Sequence, residues 1–310
     1  MITFDKKTKA LKKPNFRVLI LLAFFAIYVI WGSTYLLNKI LVSEVAPLYL
    51  ASIRFIIAGF LIFLIARVLK YDIAVSRRQF INTVIAGFFF LSYGNGVFVW
   101  ALKYVDSGFA ALLAATQPLF VVLLLRVLYG QKVLPKAIIG IVLGIFGMIL
   151  LVNQQELNFY ENSFIGILMI FTCVLSWSYG SVFVSKNELP VNHFVSTGYQ
   201  MITAGFSLLL GSLIAGETWI APYQWSGSSQ IAMLLLILFG SIVAFTSFNY
   251  LLKVVSPEKV ATSAYVNPVI ALILGWYFLD EGITIQSVVA AIILLTGVYF
   301  INRQKRLFKK

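Results

Sequence analysis

The sequence is poor in the residues that build disulfides, metal sites and charged active sites. Its 310 residues include a single cysteine, Cys173, and a single histidine, His193. One cysteine excludes an intrachain disulfide, and one histidine excludes a zinc site built on several histidines. Charged residues make up only 11% of the chain, against about 25% in an ordinary soluble domain. The sequence therefore predicts no metal site and no resident cofactor, and it argues against a water-soluble fold.

Hydrophobic residues, by contrast, account for 61% of the chain. A soluble fold of this length has no way to bury so much apolar surface, whereas a lipid bilayer accommodates it. A membrane-spanning helix needs about 20 mostly apolar residues, and the chain contains such runs throughout its length. We therefore expect an all-α integral membrane protein with ten transmembrane helices and with the lipid bilayer as a partner. The predicted spans are 18–40, 46–69, 80–102, 107–129, 134–152, 163–184, 192–215, 229–252, 257–279 and 284–302.

The net charge of +13 follows a positional pattern. Lysines and arginines concentrate in residues 1–17, in alternate connections between the predicted spans and in residues 303–310, whereas loops 153–162 and 216–228 contain none. Such a bias marks the cytoplasmic side of a membrane protein, and it argues against nucleic acid as the partner of this basic chain. We therefore predict that both basic terminal segments lie in the cytoplasm.

The two halves of the chain repeat each other. Residues 101–153 align without a gap to residues 251–303, which places Gln117-Pro118 opposite Asn267-Pro268. A five-helix repeat has an odd number of helices, so the second copy must enter the membrane upside down. Inverted repeats are typical of transporters, whose substrate sites lie at the repeat interface near the bilayer midplane. The predicted repeats cover residues 18–152 and 163–302.

Several short stretches of the sequence form a distinctive pattern. They are Trp31-Gly32-Ser33-Thr34-Tyr35, which is echoed by Trp177-Ser178-Tyr179-Gly180-Ser181, then Arg54-Phe55, Gln117-Pro118, Ala264-Tyr265-Val266-Asn267-Pro268 and Glu281. Together they resemble the EamA family of the drug/metabolite transporter superfamily, and in particular its YedA-type bacterial members. The resemblance implies ten helices in two inverted five-helix repeats around a central cavity, in a bacterial inner (plasma) membrane. It also implies movement, often outward, of amino acids or other small metabolites.

The repeat alignment also shows one departure from a symmetric pattern. Gln131 stands opposite Glu281, where a symmetric charged gate needs an acid in both repeats. Pro118 and Pro268 are the only prolines deep inside predicted spans. Proline removes a helix hydrogen bond and clashes with the preceding turn. Their matched positions predict a pair of kinks that shape the cavity, and a purely structural kink is the alternative.

Arg54 is the outstanding charge, because it lies inside the second predicted span, where a cation costs about 2.5 kcal/mol or more. Its planar guanidinium suits a substrate carboxylate, and the alternative is that it binds backbone carbonyls or locks a gate. Other candidate substrate-binding residues combine rings, amides and hydroxyls, as small-molecule sites do. They are Ser33, Tyr93, Asn95, Gln117, Tyr179, Asn249, Tyr265 and Asn267. Helix packing and, for the aromatic residues, a position at the membrane interface are the alternatives.

The sequence thus favours a secondary transporter that exports amino acids or related small metabolites by alternating access. An exporter of amphipathic or aromatic drugs is the main alternative, and a non-transporting membrane protein or a membrane enzyme is less favoured. None of the eleven acidic residues lies near the middle of a predicted span, which argues against a membrane enzyme and against a proton relay through a buried carboxylate. The small-residue face formed by Gly140, Gly144 and Gly147 suits packing within the chain or a contact between copies. We therefore expect a monomer or a homodimer.

Overall fold

The computed structural model describes residues 16–133, 135–152, 163–190, 192–255, 260 and 263–302. Every regular element in these ranges is helical, and we number the main helices α1 to α10. They are α1 (Phe16–Val42), α2 (Pro47–Val68), α3 (Arg77–Ala101), α4 (Ser107–Tyr129), α5 (Pro135–Val152), α6 (Ser163–Lys186), α7 (His193–Ile214), α8 (Gly227–Val254), α9 (Ser263–Leu279) and α10 (Ile285–Asn302). Most of the predicted basic segment 1–17, all of 303–310 and the predicted start of the ninth span at residue 257 lie outside the described residues.

Seven of these helices, α1 to α4 and α6 to α8, are long and apolar enough to cross a membrane. The other three contain shorter apolar stretches, which are Ile138–Gly147, Val266–Leu279 and Ile285–Gly297. The all-helical fold predicted from the apolar runs is confirmed, and each predicted span overlaps one described helix, whereas ten membrane crossings stay a prediction. Many large apolar side chains on these helices are exposed, as a chain surrounded by lipid requires.

The helix ends follow local chemistry at the edges of the apolar runs. α2 has Pro47 in its first turn, where the missing N–H has no intrahelical partner to lose. α3 begins with a capping box, in which Ser76 and Gln79 each accept a hydrogen bond from the other's backbone N–H. α4 ends at Tyr129 and is followed by Gly130, whose φ of 63° suits the left-handed turn that closes a helix. These signals explain why the predicted bounds fall within a few residues of the observed ones.

The closest helix pairs join the two halves of the chain. α2 packs along α7 and α5 packs along α10, so each of these helices contacts its counterpart in the other half. α1 packs on α9 and α6 packs on α4, and these two contacts are equivalent in the repeat, since α1 corresponds to α6 and α9 corresponds to α4. Stacked rings give the direction of the α2–α7 pair: Tyr49 lies on Trp219 at one end, and Tyr71 lies on Phe194 at the other. The start of each helix therefore meets the end of its partner, and the two helices are antiparallel.

The small-residue face of α5 lies against α10. A Cβ on Gly147 would come within 2.9 Å of Leu294 Cγ. A Cβ on Gly297 would come within 2.7 Å of the Gly140 carbonyl oxygen and within 2.9 Å of the Gly144 nitrogen. Backbone atoms cannot swing away as the tip of a side chain does. The glycines therefore let α5 and α10 pack backbone to backbone, and this face is occupied within one chain.

Gly297→Ala is expected to lower the melting temperature of the protein in detergent, because overpacking a close contact costs about 1–3 kcal/mol. Gly211→Ala in α7 is the matched control, since its Cβ would meet only Leu48 Cδ1, at an ordinary 3.7 Å. That change should be neutral or stabilising, because alanine favours a helix over glycine by about 1 kcal/mol. Equal melting temperatures for Gly297→Ala and the parent would contradict the close packing of α5 on α10.

Candidate functional site

Five aromatic side chains from four helices meet inside the bundle, and we term them the aromatic cluster. Trp31 of α1 and Trp177 of α6, the first residues of the two echoing stretches, lie edge to face with ring centroids 5.7 Å apart. Phe90 of α3 and Phe245 and Phe248 of α8 pack around them, with centroid separations between 5.1 and 6.3 Å. These are the separations at which tilted and edge-to-face rings attract one another.

Three helices that meet at this cluster contain π-helical stretches. They are Ala26–Ile30 in α1, Phe88–Tyr93 in α3 and Leu236–Phe245 in α8. Such stretches are rare and often mark functional sites, because they shift the helix register and disturb the usual backbone hydrogen bonds. In α8 the Gly240 carbonyl accepts a hydrogen bond from Trp31 Nε1 at 3.3 Å. The aromatic cluster therefore stabilises an irregular backbone as well as filling space.

The other two π-helical stretches also receive donors from neighbouring helices. Ser176 Oγ of α6 donates to the Phe89 carbonyl at 2.8 Å. The Asn267 amide of α9, oriented with its nitrogen toward α1, donates to the carbonyls of Tyr28 at 2.8 Å and Ile27 at 3.0 Å. Each irregular stretch thus has a polar side chain from another helix that satisfies its carbonyls, as a membrane interior demands.

Arg54 of α2 lies next to the π-helical stretch of α8, with only 3% of its surface exposed. Its Nε donates to Ser241 Oγ at 2.8 Å, and its Nη1 donates to Asn38 Oδ1 at 3.4 Å. Both acceptors are neutral, and in the described part of the chain no carboxylate pairs with the guanidinium. Gly240 keeps the backbone of α8 close, because a Cβ there would lie 3.2 Å from Arg54 Nη2. The arrangement is a buried cation that still has donors to offer to an anion.

A second polar group lies where α7 meets the end of α8, and we term it the polar seam. Its members occupy one face of each helix, because each set has the spacing i, i+3, i+4, i+7. They are His193, Ser196, Thr197 and Gln200 of α7 and Thr246, Asn249, Tyr250 and Lys253 of α8. Asn249 Nδ2 donates to Thr197 Oγ1 at 3.0 Å, and Asn249 Oδ1 accepts from Gln200 Nε2 at 3.4 Å. The rings of His193 and Tyr250 lie 5.3 Å apart, so the two faces are in contact along the seam.

Four of the predicted site residues lie at the aromatic cluster, the polar seam or the π-helical stretches. Arg54 contacts α8 beside the aromatic cluster, Asn249 lies in the polar seam, and Asn267 holds the π-helical stretch of α1. Tyr179 packs on Phe89, with ring centroids 4.6 Å apart, next to the π-helical stretch of α3. These four residues lie at helix contacts around the cluster, but they do not converge on one point.

Other predicted residues stand apart from these contacts. Ser33 Oγ donates to the Ile30 carbonyl of its own helix at 2.7 Å. Tyr93 is exposed over 36% of its surface, whereas Asn95 Oδ1 is buried with no hydrogen-bond partner among the described residues. The side chain of Tyr265 lies outside the described part of the chain.

The matched prolines have different surroundings. α4 is interrupted by a turn at residues 115–116, and Pro118 lies in the first turn of the helical segment that follows. The carbonyl of Gln117 accepts from Ser178 Oγ at 3.3 Å. α9, by contrast, continues as a helix through Pro268. A proline in a first turn lacks only an N–H that has no helical partner, so α4 accommodates Pro118 by restarting there.

At one end of the bundle, glutamates cap helices of the opposite half, and we term it the glutamate end. Glu44, after α1, accepts hydrogen bonds from the N–H and the Oγ of Ser226, both at 2.8 Å. The hydroxyls of Ser229 and Ser226 and the Ser226 N–H lower the pKa of Glu44. This cap therefore persists at neutral pH and is lost only when the pH falls through that lowered pKa. Glu217, after α7, likewise accepts from the first turn of α2, including the Tyr49 N–H at 2.8 Å.

Glu281 makes the third cap at the glutamate end. It accepts from Ser107 N at 2.8 Å, Ser107 Oγ at 2.9 Å and Gly108 N at 3.0 Å, at the start of α4. Gly275 makes room for this carboxylate, because a Cβ there would overlap Glu281 Oε2. Nearby, Lys39 Nζ donates to two carbonyls of the α3–α4 connection, both at 2.8 Å. A carboxylate at a helix N-terminus is electrostatically favourable, so the three caps hold the two halves together at this end.

The sequence analysis missed the polar seam and the phenylalanines of the aromatic cluster. The seam had a readable signal, since polar residues recur at i, i+3, i+4 and i+7 in both α7 and α8. For the aromatic cluster, the repeated tryptophan was the only signal in the sequence. The phenylalanines gave no signal, because a phenylalanine that faces lipid and one that faces the core look alike in a sequence. Within the described residues, no group of three or more histidine, cysteine or acidic side chains is placed to hold a metal ion.

Comparison with known proteins places this geometry in a family. The EamA-like transporter family matches residues 18–153 and again residues 164–303. The "uncharacterized inner membrane transporter YedA" of Escherichia coli K12 is 37% identical over 289 residues, which cover 92% of this chain and 91% of that protein. The "probable amino-acid metabolite efflux pump" of the same organism is 25% identical over 290 residues, which cover 88% of this chain and 91% of that protein.

A solved crystal structure shares the fold. It has 20% sequence identity and a TM-score of 0.65, and the match covers 92% of this chain and 96% of the other. The two family matches and the 37% identity confirm the resemblance carried by the short sequence stretches. The chain therefore belongs to the EamA-like transporter family.

Proposed function

We propose that the protein is a secondary transporter that exports amino acids or related small metabolites by alternating access. The observation that carries the proposal is the buried guanidinium of Arg54, which the neutral oxygens of Ser241 and Asn38 hold without a carboxylate partner among the described residues. A buried cation with unused donors gains free energy when an anion completes its hydrogen bonds. The carboxylate of a small solute is such an anion.

The aromatic cluster suits the ammonium group and the apolar carbon atoms of an amino acid. Ring faces attract an ammonium group, and the rings bury apolar carbon. Trp31 and Arg54 both approach Gly240 of α8, so the cationic group and the rings are neighbours. The name of the 25% identical E. coli relative, a probable amino-acid metabolite efflux pump, supports the same class of solute.

The proposal includes a membrane topology. We assign one membrane span to each of α1 to α10, in two inverted five-helix repeats around a central cavity. The two family matches, the antiparallel α2–α7 pair and the contacts between corresponding helices support this assignment. The basic terminal segments then lie in the cytoplasm, and the glutamate end faces the opposite side of the inner membrane.

An exporter of amphipathic or aromatic drugs is the second candidate, and the aromatic cluster is the observation that favours it. Five rings in mutual contact offer a surface for a flat apolar solute. The two candidates differ in what they require of Arg54, because an uncharged or cationic drug gains nothing from a guanidinium.

Release from proteoliposomes tests the proposal. Purified protein is reconstituted into liposomes that are preloaded with a mixture of amino acids, and release is compared with protein-free liposomes of the same lipids. Selective release of a few amino acids is the expected result. Release at the protein-free rate by folded protein, together with export of an aromatic dye from the same vesicles, would replace the first candidate by the second.

A further inference from the structure

Three buried oxygen atoms of the polar seam have no hydrogen-bond partner among the described residues. They are Gln200 Oε1, Thr246 Oγ1 and Tyr250 OH. Gln200 is 0% exposed and Thr246 is 6% exposed. Buried polar groups in native proteins are nearly always paired, because an unpaired one costs free energy that a partner restores. Three unpaired oxygens on facing surfaces of α7 and α8 therefore indicate a place where a polar group binds.

The hydrogen bonds within the polar seam determine which donor and acceptor atoms remain available to bind a further group. Gln200 Nε2 donates to Ser196 Oγ at 3.1 Å and to Asn249 Oδ1 at 3.4 Å, so the free capacity of this amide is that of an acceptor. The hydroxyls of Thr246 and Tyr250 donate or accept. A set of one acceptor and two hydroxyls complements a group that both donates and accepts, such as a carboxamide or a hydroxyl.

The charges beside the seam favour an uncharged occupant. Lys253 lies on the same face of α8, one turn after Asn249, and its Nζ donates to the Pro190 carbonyl. Across the seam, His193 packs against Tyr250. An ammonium or guanidinium group would meet the like charge of Lys253, and a carboxylate would meet the unpaired acceptor Oε1 of Gln200, whereas a neutral group that both donates and accepts meets neither obstacle.

The seam lies within reach of a solute that is bound at Arg54. Arg54 donates to Ser241, and Thr246 and Asn249 follow five and eight residues later on the same helix. At the α-helical rise of about 1.5 Å per residue, these positions lie at most about 8–12 Å along α8 from Ser241. An amino acid with a polar side chain bridges such a distance once the hydrogen bonds at its two ends, about 2.9 Å each, are included.

We infer that the polar seam is a second substrate subsite, which binds the uncharged carboxamide or hydroxyl side chain of an amino acid whose carboxylate binds Arg54. This inference rests on the proposed function and narrows it. The exported solutes are then amino acids with polar, uncharged side chains, and apolar analogues of the same size are poor solutes.

Pairs of solutes with matched shapes test the subsite. Liposomes that contain the protein are loaded with threonine and valine, or with glutamine and methionine, and the ratio of the two release rates is measured. The parent is expected to favour the polar member of each pair by about tenfold. Thr246→Val and Tyr250→Phe should each reduce that ratio about 3–10-fold, since each removes one hydrogen bond to the solute. Neither change should lower the melting temperature, because the hydroxyl removed has no partner among the described residues.

Thr296→Val is the matched control, since Thr296 is exposed on α10 and its Oγ1 donates to the Ile292 carbonyl of its own helix. It should keep the parent's ratio. Release of no amino acid by the parent would reject the proposed function itself. Release of all four solutes in ratios near one, which Thr246→Val and Tyr250→Phe leave unchanged, would overturn the subsite alone. Variants that melt earlier and lose both members of a pair equally would also overturn it, because that pattern marks a structural role.

Discussion

Arg54→Met is expected to reduce the release of carboxylate-bearing solutes from liposomes about 100-fold, without lowering the melting temperature. A charge-assisted pair between the guanidinium and a solute carboxylate is worth about 3 kcal/mol, and each 1.4 kcal/mol is about tenfold in an equilibrium. The stability of the solute-free protein should be unchanged or higher. A buried cation whose partners among the described residues are two neutral oxygens and the ring of Phe55 recovers little of its desolvation cost, and methionine removes that cost while keeping much of the volume.

Two further variants separate the substrate role of Arg54 from a structural one. Arg67→Met changes an exposed arginine near the end of the same helix and should transport as the parent does. Arg54→Lys keeps the charge but loses the planar fork, so its release rate should fall between those of the parent and Arg54→Met. If Arg54→Met melts much earlier than the parent while any remaining protein transports normally, Arg54 supports the helix contact and binds no solute.

Glu281→Gln is expected to open the glutamate end. The carboxylate accepts three hydrogen bonds from the start of α4, and a neutral amide loses both the charge assistance and the favourable interaction with the helix N-terminus. A loss of about 1.4 kcal/mol shifts a closed-to-open equilibrium about tenfold toward the open form. Labelling of a cysteine by a membrane-impermeant maleimide measures this shift. Val105→Cys is the reporter, because Val105 is 4% exposed in the connection that Lys39 holds.

The cysteine content of the chain keeps the background labelling in this measurement low. Cys173 is the only native cysteine and is 2% exposed, so Cys173→Ala removes the background with a small change in volume. Asp280→Asn is the control, since it removes the same charge from the neighbouring position, which is exposed. The labelling rate should rise about tenfold with Glu281→Gln and stay at the parent's rate with Asp280→Asn. Equal rates in all three backgrounds would show that the Glu281 cap does not hold this end closed.

The parts of the fold that the sequence predicted are those that local chemistry determines. Apolar runs of spanning length define the helices, and residues such as Pro47, Ser76 and Gly130 mark their ends. The tryptophans of the two halves were recognisable as counterparts because a repeat preserves residue type as well as position. Arg54 and Asn267 could be selected as candidate site residues because a charge and a proline-linked amide are conspicuous inside apolar helices.

The parts that the sequence did not predict depend on contacts between distant segments. Arg54 and its partner Ser241 are 187 residues apart in the chain, and neither segment contains a sequence signal that predicts contact with the other. The π-helical stretches have the same apolar composition as the α-helix around them, so only the packing of neighbours such as Ser176 reveals them. The role of Glu281 as a cap was equally hidden, because a carboxylate at a helix end has the same composition whether it meets water or another helix.

The pairing of helices across the two halves also determines the order in which this protein can mature. Ser107 and Glu281, which α4 and the end of α9 bring together, are 174 residues apart, and Leu48 and Glu217 are 169 apart. While the ribosome is still making the second half, α2 has no α7 and α5 has no α10 to pack against, and Arg54 has Asn38 but not yet Ser241 as an acceptor. Contacts of such long sequence separation form late and slowly. The interval between synthesis of the two halves is therefore the period when chaperones and proteases of the membrane have the best access to this chain.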